Sequence, residues 1–341
     1  MLSREIGDYH FVADAKTGMT LRWGKTLDEN PKFAPVPELA DISISNHCSK
    51  RCSFCYRNSG PNEQFMKLED YIRVLESMKH PKYGNVFQIA IGGGEPLEHP
   101  DFLRFIFETC KRGIIPNFTT NGLLLNPEIC KKIKGNVGAV ALSITSINDI
   151  LTEKVFMLRN ESIRVNIHYV LSEENVDEAT SIVLGKQTEK LAGINAIIFL
   201  TYKPAGRGLD QYVIKAGEKL NRFIMAINEK NSCFPRIGFD ACFVPMLIRY
   251  TSVQPEMVDC CEGGYFSVYI DNEMNVSPCS FSGGRDSYNL KKYDFYDIWL
   301  NKFETFRQEH ANHCKATTCR AYKLCRGCCP YYPLITTCYV S

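Results

Sequence analysis

Apolar runs of five to eight residues recur along the middle of the chain, at Asp41–Ser45, Val86–Ile91, Ile114–Thr119, Val137–Ile144, Arg164–Leu171 and Ala196–Tyr202. Their length and flanking residues predict buried strands. Segments with helical spacing lie between several of them. Lys67–Lys79 sets Leu68, Tyr71, Ile72, Leu75 and Met78 on one face, and Glu218–Asn228 does the same with Leu220, Phe223, Ile224 and Ile227. Pro100–Arg112 opens on Pro100 and Asp101, a helix-start signal, and is rich in Phe. Strand starts lie 23 to 45 residues apart, so the pattern predicts repeated βα units on a parallel sheet. Six units are too few for an eight-stranded barrel, which leaves an α/β fold with a partial TIM-like barrel or an open sheet.

Outside this block the pattern changes. Tyr9–Asp14 and Met19–Trp23 flank Ala15-Lys-Thr-Gly18 and predict a hairpin. After residue 230 helical periodicity fades while Cys, Gly and Pro increase, and little apolar material is left for a separate core, so a small metal-stapled region is expected. The expected organisation is therefore a β-hairpin extension over 1–37, the barrel over 38–228 and a Cys-rich unit over 229–341.

Composition narrows the class. The 341 residues carry 40 Lys+Arg against 38 Asp+Glu, a net charge of +2 that gives no footprint for a nucleic-acid partner and permits a peptide one. No apolar run is long enough to span a membrane, and the charged N-terminus lacks the stretch of a signal peptide, so a cytoplasmic location is expected. Thiols stay reduced there, and sixteen clustered cysteines then argue for metal rather than disulfides.

Three cysteines fall within Cys48-Ser-Lys-Arg-Cys52-Ser-Phe-Cys55, directly after the first barrel strand. Four-iron clusters are usually held by four thiolates, so three close ones would leave one iron open to a ligand. Spacing alone leaves zinc as a competitor, with His47 as its fourth ligand. The second strand ends in Gly92-Gly93-Gly94-Glu95-Pro96, where glycines let backbone approach a ligand and a carboxylate can meet a cation. The third ends in Thr119-Thr120-Asn121-Gly122, while Ser143 and Asn166 interrupt the next two apolar runs. A single polar residue in a strand is most often a satisfied core group. Together these gather toward the strand ends where α/β enzymes bind ligands.

Cys48-x3-Cys52-x2-Cys55 with Phe54, followed by Gly93-Gly94-Glu95-Pro96, resembles the radical S-adenosylmethionine enzymes over roughly residues 38–225. The resemblance implies that Cys48, Cys52 and Cys55 hold a [4Fe-4S] cluster whose open iron binds S-adenosylmethionine. By the same resemblance Gly92, Gly93, Gly94 and Glu95 would contact the cofactor's amino group, Ser143 and Asn166 its carboxylate or ribose, and the backbone near Phe54 its adenine. Asn121 lies in a segment similar to the family's third-strand motif. The family's partial (β/α)6 barrel agrees with the strand count. Its reaction breaks a C–S bond of the cofactor after one-electron reduction, and the resulting 5′-deoxyadenosyl radical abstracts hydrogen from an unactivated C–H bond; the protein positions and shields.

The C-terminal third is similar to the SPASM extension of peptide-maturing radical enzymes. The stretch from Cys261 through Gly264 and Pro278 to Cys279 carries the likeness, as does Cys319-x5-Cys325-x3-Cys329. Met274 stands where a turn glycine is usual, and Cys314-x4-Cys319 is wider than the usual spacing. The resemblance implies one or two auxiliary [4Fe-4S] clusters, two being favoured. One would use Cys261, Cys279 and Cys329 with Cys260 or Cys242, the other Cys314, Cys319, Cys325 and Cys338. The alternatives are a zinc ribbon, with Cys328, His310 and His313 close by, or a single cluster. Cys110 and Cys130 read as small buried hydrophobes.

The resemblance points to a maturase that forms a thioether or carbon–carbon crosslink in a ribosomally synthesised precursor peptide, or epimerises a residue. It would draw electrons from a donor such as flavodoxin or ferredoxin, and a separate leader-binding protein is a possible further partner. An exposed N-terminal hairpin could add a strand to a leader peptide. A sulfatase-maturase-like activity is the nearest alternative, disfavoured because Ser280 stands where that subfamily has Asp. A small-molecule cofactor-biosynthetic oxidase and a non-catalytic zinc scaffold are the others. Tyr202-Lys-Pro-Ala-Gly-Arg207, after the sixth strand, is expected to line the pocket.

Overall fold

The computed structural model describes the chain except residues 187, 231–233, 311–315, 323, 328, 337 and 339–341, and the side chain of residue 188. The six expected strands form within three residues of their predicted bounds: β4 Leu39–Ser43, β5 Gln88–Gly92, β6 Ile115–Thr120, β7 Val140–Ile144, β8 Val165–Leu171 and β9 Ala196–Thr201. Each is followed by a helix: α1 Leu68–Ser77, α2 Phe102–Lys111, α3 Pro127–Ile133, α4 Thr152–Asn160, α5 Val176–Val183 and α6 Glu218–Glu229. Adjacent strands pair in parallel in chain order. Local chemistry starts the helices where it can. Asn126 accepts from the Ile129 N–H while Pro127 occupies the first turn of α3, where its missing N–H costs nothing. Along α1, Leu68, Tyr71, Val74 and Leu75 are buried against the sheet.

The sheet is wider than six strands. β10 Ile237–Phe239 joins β9 in parallel and β11 Ser267–Ile270 joins β4, followed by the antiparallel β12 Asn275–Ser277 and β13 Tyr288–Asn289. These strands are only two to four residues long, too short for periodicity to reveal. Apolar material does follow residue 230, and it packs into the barrel rather than into a separate core. Phe243 and Val244 of α7 Val244–Tyr250 and its first turn are buried in the barrel's own core, as are Ile270, Met274, Phe295 and Trp299, and Phe303 at the start of α8 Phe303–Glu309. The Cys-rich region leans on the barrel instead of building a core of its own.

Met274 closes the β11–β12 turn with a left-handed backbone, φ 67°. That costs a non-glycine residue roughly 1–2 kcal/mol, and its side chain, 1% exposed, recovers apolar burial in exchange.

At the N-terminus β1 Leu2–Ile6 adds a third strand to the expected hairpin of β2 Tyr9–Ala13 and β3 Thr20–Trp23. Arg22 of β3 fastens this small sheet to the rest. Its guanidinium donates to Glu38 at 2.8 Å, just before β4, to Asp259 at 2.6 Å and to Glu262 at 2.7 Å, and lies 3.8 Å over the Phe266 ring. The Tyr9 hydroxyl donates to the same Glu38 carboxylate at 2.9 Å. Burial still holds the Glu38 carboxyl above its ordinary range despite Arg22, because the desolvation cost outweighs the pull of the cation. Among the described residues, no helix is long and apolar enough to cross a membrane.

Removing one partner of such a buried pair leaves the other charge without compensation. Arg22→Met is expected to lower stability by about 3–5 kcal/mol in chemical denaturation at neutral pH, and adding Glu38→Gln should restore part of it. Equal stability of wild type and Arg22→Met would show that the clasp holds nothing.

Candidate functional site

The cysteine loop leaves β4 and is held by the end of β5. The Gly94 N–H donates to Ser45 O at 2.8 Å and the Glu95 N–H to His47 O at 2.9 Å. Gly93 has φ 119°, and a Cβ at Gly93 or Gly94 would collide with the carbonyls of Ser45 and His47. The glycines therefore serve the close passage of the two strand ends, which fixes the point from which Cys48, Cys52 and Cys55 are launched. All three cysteines are half-buried, and burial pushes the Cys48 and Cys52 thiols above their usual range. His47, considered above as a zinc ligand, turns its ring to Glu98 at 3.0 Å.

Glu95 lies in the protein interior. Its carboxylate accepts from Thr120 Oγ1 at 2.6 Å, Asn121 N at 2.8 Å and Leu97 N at 3.1 Å, so it locks the end of β6 to the end of β5. The Asn121 side chain accepts from the Leu123 N–H at 2.9 Å. A cleft of about 250 Å3 opens beside the cysteine loop, lined by Lys50, Cys52, Ser53, Phe54, Ser143, Thr145 and Asp149 among others. It gathers Phe54 and Ser143, expected at a bound cofactor, beside Cys52. Asn166 stands one strand further along, paired in register with Ala141, and accepts from Asn195 at 2.9 Å.

Strand side chains alternate between two faces. One face of β4–β9 packs on the helices, and the other carries Asp41, Thr119, Ser143, Asn166 and His168, all half-buried. His168 Nδ1 lies 3.2 Å from Thr119 Oγ1, and burial lowers its pKa to about 4. Asp41 sits between Ala90 of β5 and Tyr269 of β11 in register. Among the described residues nothing donates a hydrogen bond to it. Burial pushes its carboxyl up to about 6 against the pull of Arg57. Arg57 contacts the Tyr269 hydroxyl and donates to Asn46 at 3.2 Å, and the Tyr56 and Phe281 ring centroids lie 4.5 Å apart in a tilted contact. Sequence reasoning did not single out Asp41 or His168. The available signal was a charged or polar residue at alternate positions of an otherwise apolar strand.

A second thiol group lies in the C-terminal region. Cys242, Cys261, Cys279 and Cys329 lie within electrostatic reach of one another, and burial with mutual repulsion raises the first three, Cys261 and Cys279 to about 12. Cys260 belongs elsewhere: it shares a hydrogen bond with Cys325 that lowers the Cys325 thiol to about 7 and raises that of Cys260. Cys319 lies in a nearby turn and Cys338 is buried, its carbonyl accepting from Arg249. Cys314, Cys328 and His313 lie outside the described residues. Cys130 is buried in the core, and Cys110 packs half-buried against it.

The loop after β9 reaches both thiol groups. Arg207 donates from Nε to Cys52 O at 2.8 Å and from its backbone N–H to Cys55 O at 3.0 Å. Lys203, four residues earlier, pairs with Asp240 at 3.0 Å near Cys242 and Cys279.

Residues 42–192 match the Radical SAM superfamily. Over 333 residues the chain is 23% identical to the AdoMet-dependent heme synthase of Methanosarcina barkeri, covering 86% of this chain and 91% of that one. It is 22% identical over 330 residues to the subtilosin biosynthesis protein AlbA of Bacillus subtilis, covering 86% and 67%. A 94-residue stretch, 27% of this chain, is 31% identical to a tungsten-containing aldehyde ferredoxin oxidoreductase cofactor-modifying protein of Pyrococcus furiosus and spans only 26% of that relative. The fold superposes on the crystal structure of Streptococcus suis SuiB bound to precursor peptide SuiA with a TM-score of 0.68 at 19% identity, covering 90% of this chain and 77% of that one. The match marks a radical SAM domain over residues 42–192, and that family implies S-adenosylmethionine and a [4Fe-4S] cluster.

The residues present fit such a group. Three thiols on one eight-residue loop form a soft donor set beside an open cleft. The second thiol group fits a positively charged core as well. Burial and mutual repulsion penalise its thiolates, and metal binding would relieve that cost. Among the described residues no three His, Cys, Asp or Glu side chains converge for a single ion, so the fit rests on donor chemistry.

An unpaired carboxylate on the chamber face should carry a measurable cost. Asp41 ionises near 3.8 when unfolded and near 6 when folded, so stability is lost as pH rises through that window. Asp41→Asn is expected to be more stable than wild type above pH 6, by on the order of 2–3 kcal/mol, with the gap closing below pH 4. Denaturation curves across pH check it, and a gap that does not vary with pH would exclude this account.

Proposed function

We propose that the chain is a radical SAM peptide maturase that acts on a ribosomally synthesised precursor peptide and installs a crosslink or an inverted residue. One observation carries this reading: a single loop, Tyr202 to Arg207, reaches two separate thiol groups. The likeness to AlbA along most of the chain supports a peptide substrate, as does the SuiB fold with its precursor peptide.

When bound to the open iron, S-adenosylmethionine supplies a carbon radical able to abstract hydrogen from an unactivated C–H bond. Cys48, Cys52 and Cys55 would hold the cluster that binds it. The rest is positioning. Glu95 and the paired glycines hold the loop in place, and Phe54 and Ser143 would line the cofactor's side of the cleft, with Asn166 one strand further along. Cys242, Cys261, Cys279 and Cys329 would hold one auxiliary cluster. A second would use Cys319, Cys325 and Cys338, with Cys260 or Cys314. A flavodoxin- or ferredoxin-type donor would supply electrons, and leader recognition would fall to the N-terminal sheet or to a separate protein. The units at 1–37, 38–228 and 229–341 would divide these tasks. A small-molecule substrate is a second reading, favoured by the likeness to the heme synthase over 91% of its length.

Anaerobic reconstitution with S-adenosylmethionine, a reductant and short peptides encoded beside the gene tests the proposal. Wild type is expected to release 5′-deoxyadenosine and change one peptide: loss of two hydrogens marks a crosslink, and solvent deuterium uptake at constant mass marks epimerisation. Cys52→Ala should reduce 5′-deoxyadenosine to background, while Cys279→Ala should spare some cofactor cleavage but form no product. Cofactor cleavage in Cys52→Ala equal to wild type would refute the radical site. Modification of a small molecule with every peptide unchanged would favour the second reading.

A further inference from the structure

Lys203 is a charged residue buried where charge is expensive, its side chain only 4% exposed. Its ammonium donates to Asp240 Oδ2 at 3.0 Å and to Thr201 O at 3.1 Å, and lies 4.4 Å from the centroid of the Phe281 ring. Two of these contacts lead to a thiol. Asp240 is two residues before Cys242, while Phe281 is two residues after Cys279 and donates its N–H to Cys279 Sγ at 3.4 Å. The Lys203 charge is felt by both Cys242 and Cys279. Asp240 is braced on its far side by Thr201 Oγ1 at 2.7 Å. The ammonium is therefore fixed by β9, by the loop before α7 and by an aromatic face.

We propose that Lys203 is a positioning residue that raises the reduction potential of an iron–sulfur cluster held by Cys242, Cys261, Cys279 and Cys329, with Asp240 as its opposing charge. The inference rests on reading those four cysteines as cluster ligands. An added electron makes a thiolate-bound cluster more negative, and a nearby fixed cation stabilises the reduced form. Low local dielectric strengthens the effect relative to water. The pair has a sign structure. Removing Lys203 strips the cation and leaves the Asp240 carboxylate unopposed, so both changes lower the potential. Removing the Asp240 charge leaves Lys203 unopposed and raises it. A raised potential suits this cluster to accepting an electron over donating one.

The test is an EPR-monitored redox titration of the reconstituted full chain. A Cys48→Ala, Cys52→Ala, Cys55→Ala background leaves only the C-terminal iron–sulfur signals, and the relevant one is that lost on adding Cys279→Ala. In this background Lys203→Met is expected to shift the reduction equilibrium toward the oxidised form by about tenfold, which is about 59 mV for a one-electron couple. Asp240→Asn should shift it the opposite way, and Lys203→Arg should stay close to the parent. Arginine keeps the charge should Lys203→Met fold poorly, and Asp240→Asn alone still carries the sign test. A signal whose potential is unmoved in both Lys203→Met and Asp240→Asn overturns the inference and leaves the cluster reading standing. A background protein with no iron–sulfur signal dependent on Cys279 overturns both.

Discussion

The passage of Gly93 and Gly94 against the carbonyls of Ser45 and His47 is the constraint on which the site depends. Two parallel strand ends approach closely enough for backbone hydrogen bonds beyond the sheet proper, and any side chain at either glycine would separate them. The cysteine loop begins at this contact, so its position is set by main chain, which cannot change rotamer. Glu95 extends the constraint by one strand. Its buried carboxylate gathers Thr120, Asn121 and Leu97, and burial raises its pKa despite these donors. The GGEP segment thus acts as a joint between the two strand ends.

A second constraint closes the loop from the other side. Gly206, in a left-handed conformation, packs against the carbonyls of Cys55 and Tyr56, while Arg207 bonds to the carbonyl of Cys52. The same short segment carries Lys203 to the auxiliary thiols. A strand-end loop that touches two thiol sites couples their geometry, since displacing β9 would disturb both. The Arg22 clasp does comparable work at the opposite edge. There Glu38 at the mouth of β4 is bound to β3 and to the segment carrying Cys261 through one guanidinium.

How much of this was legible in the sequence follows from the range of the forces involved. The six strands of the barrel and helices α1, α2 and α6 were legible because each repeats a local period over enough residues to be counted. β10 to β13 were not, since two to four residues carry no period and form by pairing with an existing edge. β1 was missed for a related reason: Leu2–Ile6 places Ser3, Arg4 and Glu5 together between two apolar ends and becomes a strand only beside β2. The cysteine motif was legible because metal chemistry imposes spacing on the chain itself. Asp41 and His168 were not, because their meaning comes from the face they share with residues more than a hundred positions away.

The C-terminal cysteines show how electrostatics can divide what spacing leaves open. Cys260 and Cys261 are adjacent in sequence and equally plausible as ligands, yet successive side chains diverge, and the two thiols meet different neighbours. Cys261 joins Cys279, Cys329 and Cys242, while Cys260 bonds to Cys325. A thiolate buried among other thiolates is costly without a compensating positive charge. For the group around Cys261 the ammonium of Lys203 is one means of compensation, and a metal core held by the proposed ligands would be another. Lys203 alone is insufficient, because it is already matched by Asp240 at 3.0 Å and still leaves Cys261 and Cys279 pushed up to about 12. Without more they stay protonated, and a polycation bound by the thiols themselves would supply the larger share. In that arrangement the lysine adjusts a charge balance that the metal dominates, and its effect is felt in potential more than in affinity.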